Sequence, residues 1–487
     1  MLIASIILIP IFLIVLSIFV RKVKTLGIVN ALGYLYLLAA CVLFFKDFLN
    51  KGSLAINLWG WVYIDSLSVF FILTTAVVSF AASVYSIGYI RLEVKEAKIS
   101  LRKAHVYFQL FNLFSLTMLI VPLLNNLALV WIAIEMTTLI SAFLVGFHNV
   151  KESIEAAWKY IIICSVGITF ALLGIIFFYY TSSKDAGITS LEWVNMLSGS
   201  GMFNPKIVKI ALIFILVGYG TKAGLAPMHN WLPDAHSQAL SPISGLLSGV
   251  LIKISLYAIL RFVMLANLSV GYVYSAKLFI LFGIFSIAIA GFFILVQKDL
   301  KRLLAYSSVE NIGLVSLGLG FGPFGGIFAG LLQAFNHAVT KAFMFFCAGE
   351  AVRTYRTNNM NQMRGMIKLM PFTGIAMFLG FFALVGMPPF SIFISKLSIL
   401  ISAFEGKYYL IATLMLIFIA LAFAGLLYHV SRIVLGKAPQ TMVVQRESLS
   451  SKIALLFLGI FILGFGLKIP QGFFNLLINC QRLVLGR

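Results

Sequence analysis

Several ionisable side chains of this chain lie in stretches of sequence that otherwise read as hydrocarbon. Glu135 stands in ALVWIAIEMTTLISAFLV, too deep among apolar neighbours for a short carboxylate to reach water, so it needs a partner or a proton. Lys253 lies well inside SPISGLLSGVLIKISLYAIL with nothing acidic near it in sequence, and its partner must come from another helix. His337 and Lys341 in FNHAVTKAFMFF are four residues apart and project from one helix face, and histidine adds a group that titrates near physiological pH. Alone, His337 would read as a satisfied core histidine; Lys341 one turn away favours function. A charge at the bilayer centre costs roughly 3 kcal/mol or more, so each one retained there is by default a functional hypothesis. The chemistry open to such a set is proton transfer, because a low dielectric disfavours a lysine ammonium and lets the amine release and regain its proton near neutral pH.

Two further lysines sit beside helix breaks. Lys222 follows IALIFILVGYGT and precedes AGLAPMHNWLPDAH, where Gly224, Pro227 and Pro233 stop or break a helix. Backbone groups freed at mid-membrane are tolerated only where protein or a water-filled cavity satisfies them, so this cation reads as part of an ion site rather than as a lysine snorkelling to an interface. Lys396 follows Gly386 in GMPPFSIFISKLSIL, a second apolar segment interrupted by Gly and paired Pro. One lysine precedes its break and the other follows, as in an inverted repeat with two discontinuous helices. Glu310 in AYSSVENIGLV, about two turns into its helix, reads either as a relay member or as an interfacial group. His229, Asp234 and His236 fall in the polar stretch after the first break, where access-path or helix-capping roles fit better than metal binding, since no third ligand is evident.

These side chains need apolar elements to carry them, and the composition supplies little else. With 61% hydrophobic residues, 10% charged residues and a mean hydropathy of +1.05 over 487 residues, the solvent for most of the chain is lipid. A spanning helix takes roughly 20 mainly apolar residues. About fourteen such stretches can be traced, centred near Leu8, Leu37, Val77, Ser115, Ile134, Gly167, Ile213, Val250, Ala288, Leu314, Leu332, Ala383, Leu416 and Leu458. The fold class is therefore an all-α, polytopic membrane protein. Only Asn125 and Asn126 separate the stretches around Ser115 and Ile134, and an interfacial helix after Pro470 stays open.

The formal charge of +21 does not point to nucleic acid, because the basic residues are spread as the positive-inside rule would spread them. With an outside N-terminus, one side collects Arg21, Lys22, Lys24, Arg91, Lys95, Lys98, Arg102 and Lys103. The same side takes Lys151, Lys159, Lys298, Lys301, Arg302, Arg353, Arg356, Arg364, Lys368, Arg432, Lys437, Arg446 and Lys452. Both termini should face away from the cytoplasm. Cys41, Cys164, Cys347 and Cys480 lack any CxxC or metal-ligand spacing and read as small core residues. The apolar N-terminus is followed by RKVK and reads as a retained first helix rather than a signal peptide.

The segments around these residues resemble a known family. WIAIEMTTL with Glu135, TKAGLAPMHNWLPDAHSQALSPISGLLSG with Lys222, LIKIS with Lys253, NHAVTKAFMFFCAG with His337 and Lys341, and GMPPFSIFISK with Lys396 resemble the antiporter-like membrane subunits of complex I. That superfamily includes the Mrp sodium/proton antiporter subunits and the membrane arms of energy-converting hydrogenases. Length, the lack of a long C-terminal lateral-helix extension, and IEMTTLISAFLV with EAAWKYIIICSVG make the chain look most like hydrogenase-4 component F and its relatives. The resemblance implies helices 1–3 in residues 1–102 and a first five-helix repeat (helices 4–8) in 103–265. It implies an inverted second repeat (helices 9–13) in 274–436, each repeat containing a discontinuous helix, and helix 14 with a tail in 450–487. It also implies an ion pair between Glu135 and Lys222, a central relay of Lys253 and His337, and an exit-side role for Lys396. Relatives carry either glutamate or lysine at this last position, which leaves the working of the exit half open.

No cofactor is expected in this chain, which has neither CxxC nor a glycine-rich dinucleotide motif after a strand. The resemblance implies iron–sulfur clusters, with NiFe or flavin and quinone, in partner subunits. Expected partners are other antiporter-like membrane subunits, quinone- or hydrogenase-anchor subunits, a peripheral redox arm and lipid, in a prokaryotic cytoplasmic (inner) membrane. The leading reading is a proton-translocating subunit of a redox-driven complex of the hydrogenase-4, formate hydrogenlyase or complex I kind, which moves ions and performs no redox chemistry itself. The alternative is a subunit of an Mrp-type antiporter that exchanges sodium for protons without electron transfer. Sodium would call for converging carboxylate and carbonyl oxygens, and the lysine-rich line favours protons. A carrier for small organic solutes would need a polar cavity at a repeat interface, and a structural anchor would not need these charges.

Overall fold

Lipid offers no partners to backbone N–H and C=O groups, so a chain of this composition satisfies them within helices. A computed structural model describes residues 2–50, 55–58, 60–439, 444 and 447–486; Arg446 of the basic side lies outside the described residues. The elements are α1 (Leu2–Phe19), α2 (Val23–Asn50), a β-hairpin of β1 (Ala55–Leu58) and β2 (Val62–Asp65), α3 (Ser66–Lys95), α4 (Leu101–Ile120), α5 (Leu127–Val145) and α6 (Lys151–Ala186). There follow α7 (Trp193–Gly199), α8 (Pro205–Ala223), α9 (Trp231–Gln238), α10 (Ser241–Leu246), α11 (Ile252–Val270), α12 (Tyr272–Val296), α13 (Leu300–Phe321) and α14 (Gly326–Tyr355). The last are α15 (Met366–Leu369), α16 (Pro371–Val385), α17 (Ser391–Glu405), α18 (Tyr409–Leu435), α19 (Leu449–Leu467) and α20 (Gln471–Val484).

Among the described residues, eleven helices are long and apolar enough to cross a bilayer, with α10 and α11 forming one crossing through a π-helical turn at Leu247–Leu251. Three more crossings are polar or broken: α8 with α9, α14, and α16 with α17. Each of the fourteen centres expected from hydropathy falls in a different crossing. A short hairpin between α2 and α3, paired antiparallel with Ile56 opposite Ile64, is the one sheet among the described residues of an otherwise all-α polytopic fold. A helix does follow Pro470, the amphipathic α20, whose Phe473, Leu476, Leu477 and Cys480 are buried. The four cysteines are free and buried, as small core residues would be.

Burial sorts the helices. In α13 and in the α10–α11 crossing every residue of the apolar window is buried, and α3 is nearly so, whereas α1 and α18 leave most of theirs on the perimeter. The polar residues of the core are thus packed protein against protein, the only place where the bilayer tolerates them. Caps set the helix starts: the Asn126 side chain accepts from the N–H groups of Ala128 and Leu129, and that of Asp299 from Arg302 N–H. Loop pairings hold the two faces together, Asp299 with Asn359 on the basic side and Asn126 with Glu192 on the other.

The two broken crossings end alike. α8 stops at Gly224, with φ +78, whose N–H donates to Thr221 O while Leu225 N–H donates to Gly220 O. α16 stops at Gly386, with φ +84, whose N–H donates to Ala383 O while Met387 N–H donates to Phe382 O. Only glycine takes this left-handed position without strain. A cis peptide before proline follows each, at Ala226–Pro227 and Pro388–Pro389. The freed ends are satisfied by protein: Trp231 Nε1 donates to Thr221 O at 2.8 Å, and the Ala226 N–H to Ser286 Oγ at 2.9 Å.

Candidate functional site

Lys222, in the last turn of α8, is fully buried, and its ammonium donates to the Ile134 carbonyl and to the Thr138 hydroxyl, both on α5. Glu135 is turned away from it. Its Oε1 accepts from Ser165 Oγ of α6 at 2.8 Å and its Oε2 from Thr138 Oγ1 at 3.1 Å. The expected ion pair is therefore not direct: Thr138 stands between the two charges, accepting from the lysine and donating to the carboxylate. Successive residues on a helix point about 100° apart, so the ammonium seated at Ile134 and Thr138 meets a different face of α5 from the one that directs Glu135 to α6. Thr138 and Ser165 were not singled out from sequence. The hydroxyl three residues after a glutamate in an apolar run, in EMTT, is the signal that would have found the first.

At the centre, the ammonium of Lys253 lies 2.8 Å from Nδ1 of His337 and donates to Ser248 O. The partner does come from another helix, α14, and the π-helical turn leaves a carbonyl available one turn before the lysine. Nε2 of His337 is buried with no hydrogen-bond partner among the described residues. One turn on, Lys341 donates to Leu304 O and to the Ser307 hydroxyl of α13. Lys222 and Lys341 are thus held in the same way, each on a carbonyl and a hydroxyl of a neighbouring helix with a glutamate three residues from that hydroxyl.

Ser307 leads to the far lysine. Lys396 Nζ lies 3.0 Å from Glu310 Oε1 and donates to Val385 O, the last carbonyl of α16, at 3.2 Å. A cation at the C-terminal end of a broken helix is stabilised by its exposed carbonyl dipoles. Glu310 is 1% exposed, which excludes the interfacial reading. A chain of neutral groups runs beside this pair: Ser395 Oγ donates to Gln333 Oε1, Gln333 Nε2 to Asn311 Oδ1 at 2.7 Å, and Asn311 Nδ2 to Ser307 O at 2.7 Å.

The three polar residues after the first break separate. Asp234 stays at the basic surface, paired with Arg302 at 3.0 Å and Lys159 at 3.4 Å. His229 packs edge-on against Tyr306 beside the break. His236 is fully buried, stacked on Phe345 with ring centroids 4.8 Å apart, with neither ring nitrogen partnered among the described residues. It lies within electrostatic reach of Lys341, Lys301 and Lys253. Lys301, expected only as a surface charge, is buried and donates to Ala239 O at 2.9 Å. It lines a cavity of about 340 Å³ on the basic side together with Glu93, Lys98, His148 and Arg353. Burial, with Lys301, Lys98 and Lys103 nearby, pushes the His148 imidazole down to about 4, so this histidine is neutral at pH 7.

A second buried pair lies toward the opposite side. Arg261 of α11 grips Asp65 with both terminal nitrogens, at 2.5 and 2.9 Å, and donates to Tyr257 Oη at 2.9 Å. Trp193 and Tyr63 flank the guanidinium. It ties α11 to the start of α3 and touches none of the lysines. Among the described residues no three His, Cys, Asp or Glu side chains converge as a metal site would require.

The family described as NADH:quinone oxidoreductase/Mrp antiporter, TM, matches residues 125–423. The chain is 36% identical over 353 residues to the hydrogenase-4 component F homolog of Methylacidiphilum infernorum, covering 72% of this chain and 74% of that one. It is 31% identical over 345 residues to hydrogenase-4 component B of Escherichia coli, covering 68% of this chain but 49% of that longer protein. Among solved structures, a chain of the membrane-bound sulfane sulfur reductase, an archaeal respiratory membrane complex, superposes with a TM-score of 0.87 at 25% identity, covering 99% of this chain and 97% of that one.

Proposed function

Because the chain belongs to the NADH:quinone oxidoreductase/Mrp antiporter membrane family, we propose that it is the proton-translocating subunit of a redox-driven complex of the hydrogenase-4 or complex I kind. One observation carries this reading: the ionisable groups of the apolar segments form linked clusters within the helix bundle, Glu135–Thr138–Lys222, Lys253–His337 and Lys341–Ser307 followed by Glu310–Lys396. Side chains paired through hydroxyls and an imidazole pass protons by small rotations, and a change in distance between a carboxylate and an ammonium alters how strongly the ammonium is held.

In this reading Glu135 and Lys222 form the input pair, Lys253, His337 and Lys341 the central relay, and Glu310 and Lys396 the output pair. The basic side faces the cytoplasm of a prokaryote. The cavity lined by Lys301 is the access from that side, and His229, Asp234 and His236, which follow the first break, are assigned to the entry path. The two matched breaks support two five-helix repeats, 103–265 and 274–436, each built around one broken crossing. Glu135 remains half-exposed on the perimeter of α5, beside exposed Ile132, Met136 and Leu139. A carboxylate facing acyl chains is not tolerated, so another membrane subunit covers this flank. The iron–sulfur, NiFe or flavin centres and the quinone belong to partner subunits, and this chain translocates without redox chemistry of its own.

The test is ion pumping by the intact complex in sealed vesicles, with electron transfer followed in parallel, for wild type, Lys222→Ala and Glu135→Ala. Assembled variants that transfer electrons but fail to acidify or alkalinise the lumen support the reading. Normal pumping by both overturns it. Sodium-for-proton exchange with no electron donor present would assign the chain to an Mrp-type antiporter instead.

A further inference from the structure

A further cavity is remote from the lysine line. It is a groove of about 910 Å³ on the basic side, between the first turn of α2, the last turns of α3 and the start of α19. Its upper wall carries Lys24, Arg91 and Lys95, all exposed, and none of the three is paired with a carboxylate among the described residues. Two carboxylates also line the groove, and each is already held by its own partners: Glu96 by Lys98 at 2.8 Å and by Arg353 of the groove wall at 3.7 Å, and Glu447 by Lys452 at 3.8 Å and the N–H of Thr373 at 2.7 Å.

The lower wall changes character. One turn of α3 deeper, Ile87 and Gly88 replace the cations, and across the groove stand Leu449 and Ile453, 73% and 47% exposed. Gly88 lets the helices approach closely: an added Cβ would lie 2.5 Å from the hydroxyls of Ser448 and Ser450. Ser448 caps α19, so the N-terminal end of a nineteen-residue helix, with its partial positive charge, also faces the groove. The site therefore presents positive charge at the level where a bilayer has phosphates and apolar side chains where it has acyl chains.

We infer that this groove binds an anionic phospholipid of the leaflet on the basic side, its phosphate held by Arg91, Lys95 and Lys24 and its chains lying along Ile87, Leu449 and Ile453. Arginine and lysine one turn apart on a helix suit a phosphate that bridges them, whereas a zwitterionic headgroup would bring an ammonium into an already cationic site.

The experiment uses the intact complex in phosphatidylcholine vesicles containing a photoreactive phosphatidylglycerol. Labelling is expected on peptides of α3 and α19. It should fall roughly 30-fold in Arg91→Gln/Lys95→Gln, the loss of two basic contacts to a lipid surface. It should stay at the wild-type level in Lys206→Gln/Lys209→Gln on the other side. Excess inorganic phosphate should not compete. Equal labelling of wild type and the Arg91/Lys95 variant overturns the inference, as does competition by phosphate, which would make this a soluble-anion site. Cross-linking of Leu449→Cys to another subunit in place of lipid also overturns it, because the groove would then be a protein interface.

Discussion

Lys396 and Glu310, 86 residues apart in sequence, form a buried ion pair of 3.0 Å at the end of α16, and they are the one carboxylate and lysine of the central line in direct contact. The carboxylate–lysine pair expected at Glu135 and Lys222 is split by a threonine hydroxyl. The two glutamates of the line are therefore unequal: one grips its lysine and the other acts through an intermediary.

Removing one member of the Glu310–Lys396 pair strands the other in the interior, which destabilises by about 3–5 kcal/mol, whereas removing both is far milder. Glu310→Gln and Lys396→Met should each lower the thermal midpoint of the complex, and the double variant should regain most of the loss while still failing to pump. A double variant as unstable as the sum of the singles would mean the two residues do not pair.

Thr138→Val keeps both charges of the first cluster and deletes the hydroxyl between them. A hydrogen bond to a charged group is worth about 1.5–3 kcal/mol, so proton-pumping rate should fall roughly tenfold or more, with Thr138→Ser close to wild type. Wild-type pumping by the valine variant would mean that Glu135 and Lys222 communicate without it.

At Gly386 the backbone is left-handed, and an added Cβ would sit 3.0 Å from Cδ of Lys396. Gly386→Ala should destabilise by about 1–2 kcal/mol and reduce pumping together. Gly464→Ala, in the interior of α19 with open space around it, should do neither. Thermal melts and pumping assays on the same preparations decide the matter.

Arg261 and Asp65 are both fully buried and touch none of the lysines. Arg261→Met should cost about 3–5 kcal/mol by leaving Asp65 unpaired, with Arg261→Met/Asp65→Asn partly restored. The pumping stoichiometry of whatever complex assembles should match wild type. A changed stoichiometry would place this pair in the transport path.

His148 is held neutral in the folded protein down to about pH 4, while an unfolded histidine takes up its proton near 6.5. Between these values the unfolded state binds more protons, so stability drops as pH falls from about 6.5 toward 4. His148→Asn should flatten this part of the curve of thermal midpoint against pH. An unchanged slope would show that other groups set it.

Much of this protein can be read without coordinates. Runs of apolar residues locate the crossings, because only a helix satisfies the backbone in lipid, and charges within those runs mark Glu135, Lys222, Lys253, His337, Lys341 and Lys396, because lipid penalises them heavily. Glycine and proline mark both breaks for a reason local to the backbone. What the chain's order of residues could not settle is partnership. Threonine and serine are common in membrane helices and rarely signal which charge they serve: Thr138 is marked by its spacing from Glu135, whereas Ser165 and Ser307 emerge only when helices are packed. Lys301 and Arg261 lie near the ends of apolar runs, where a long side chain ordinarily reaches water. That neighbouring helices close over them, and that Arg261 finds Asp65 across 196 positions, is decided by tertiary packing alone.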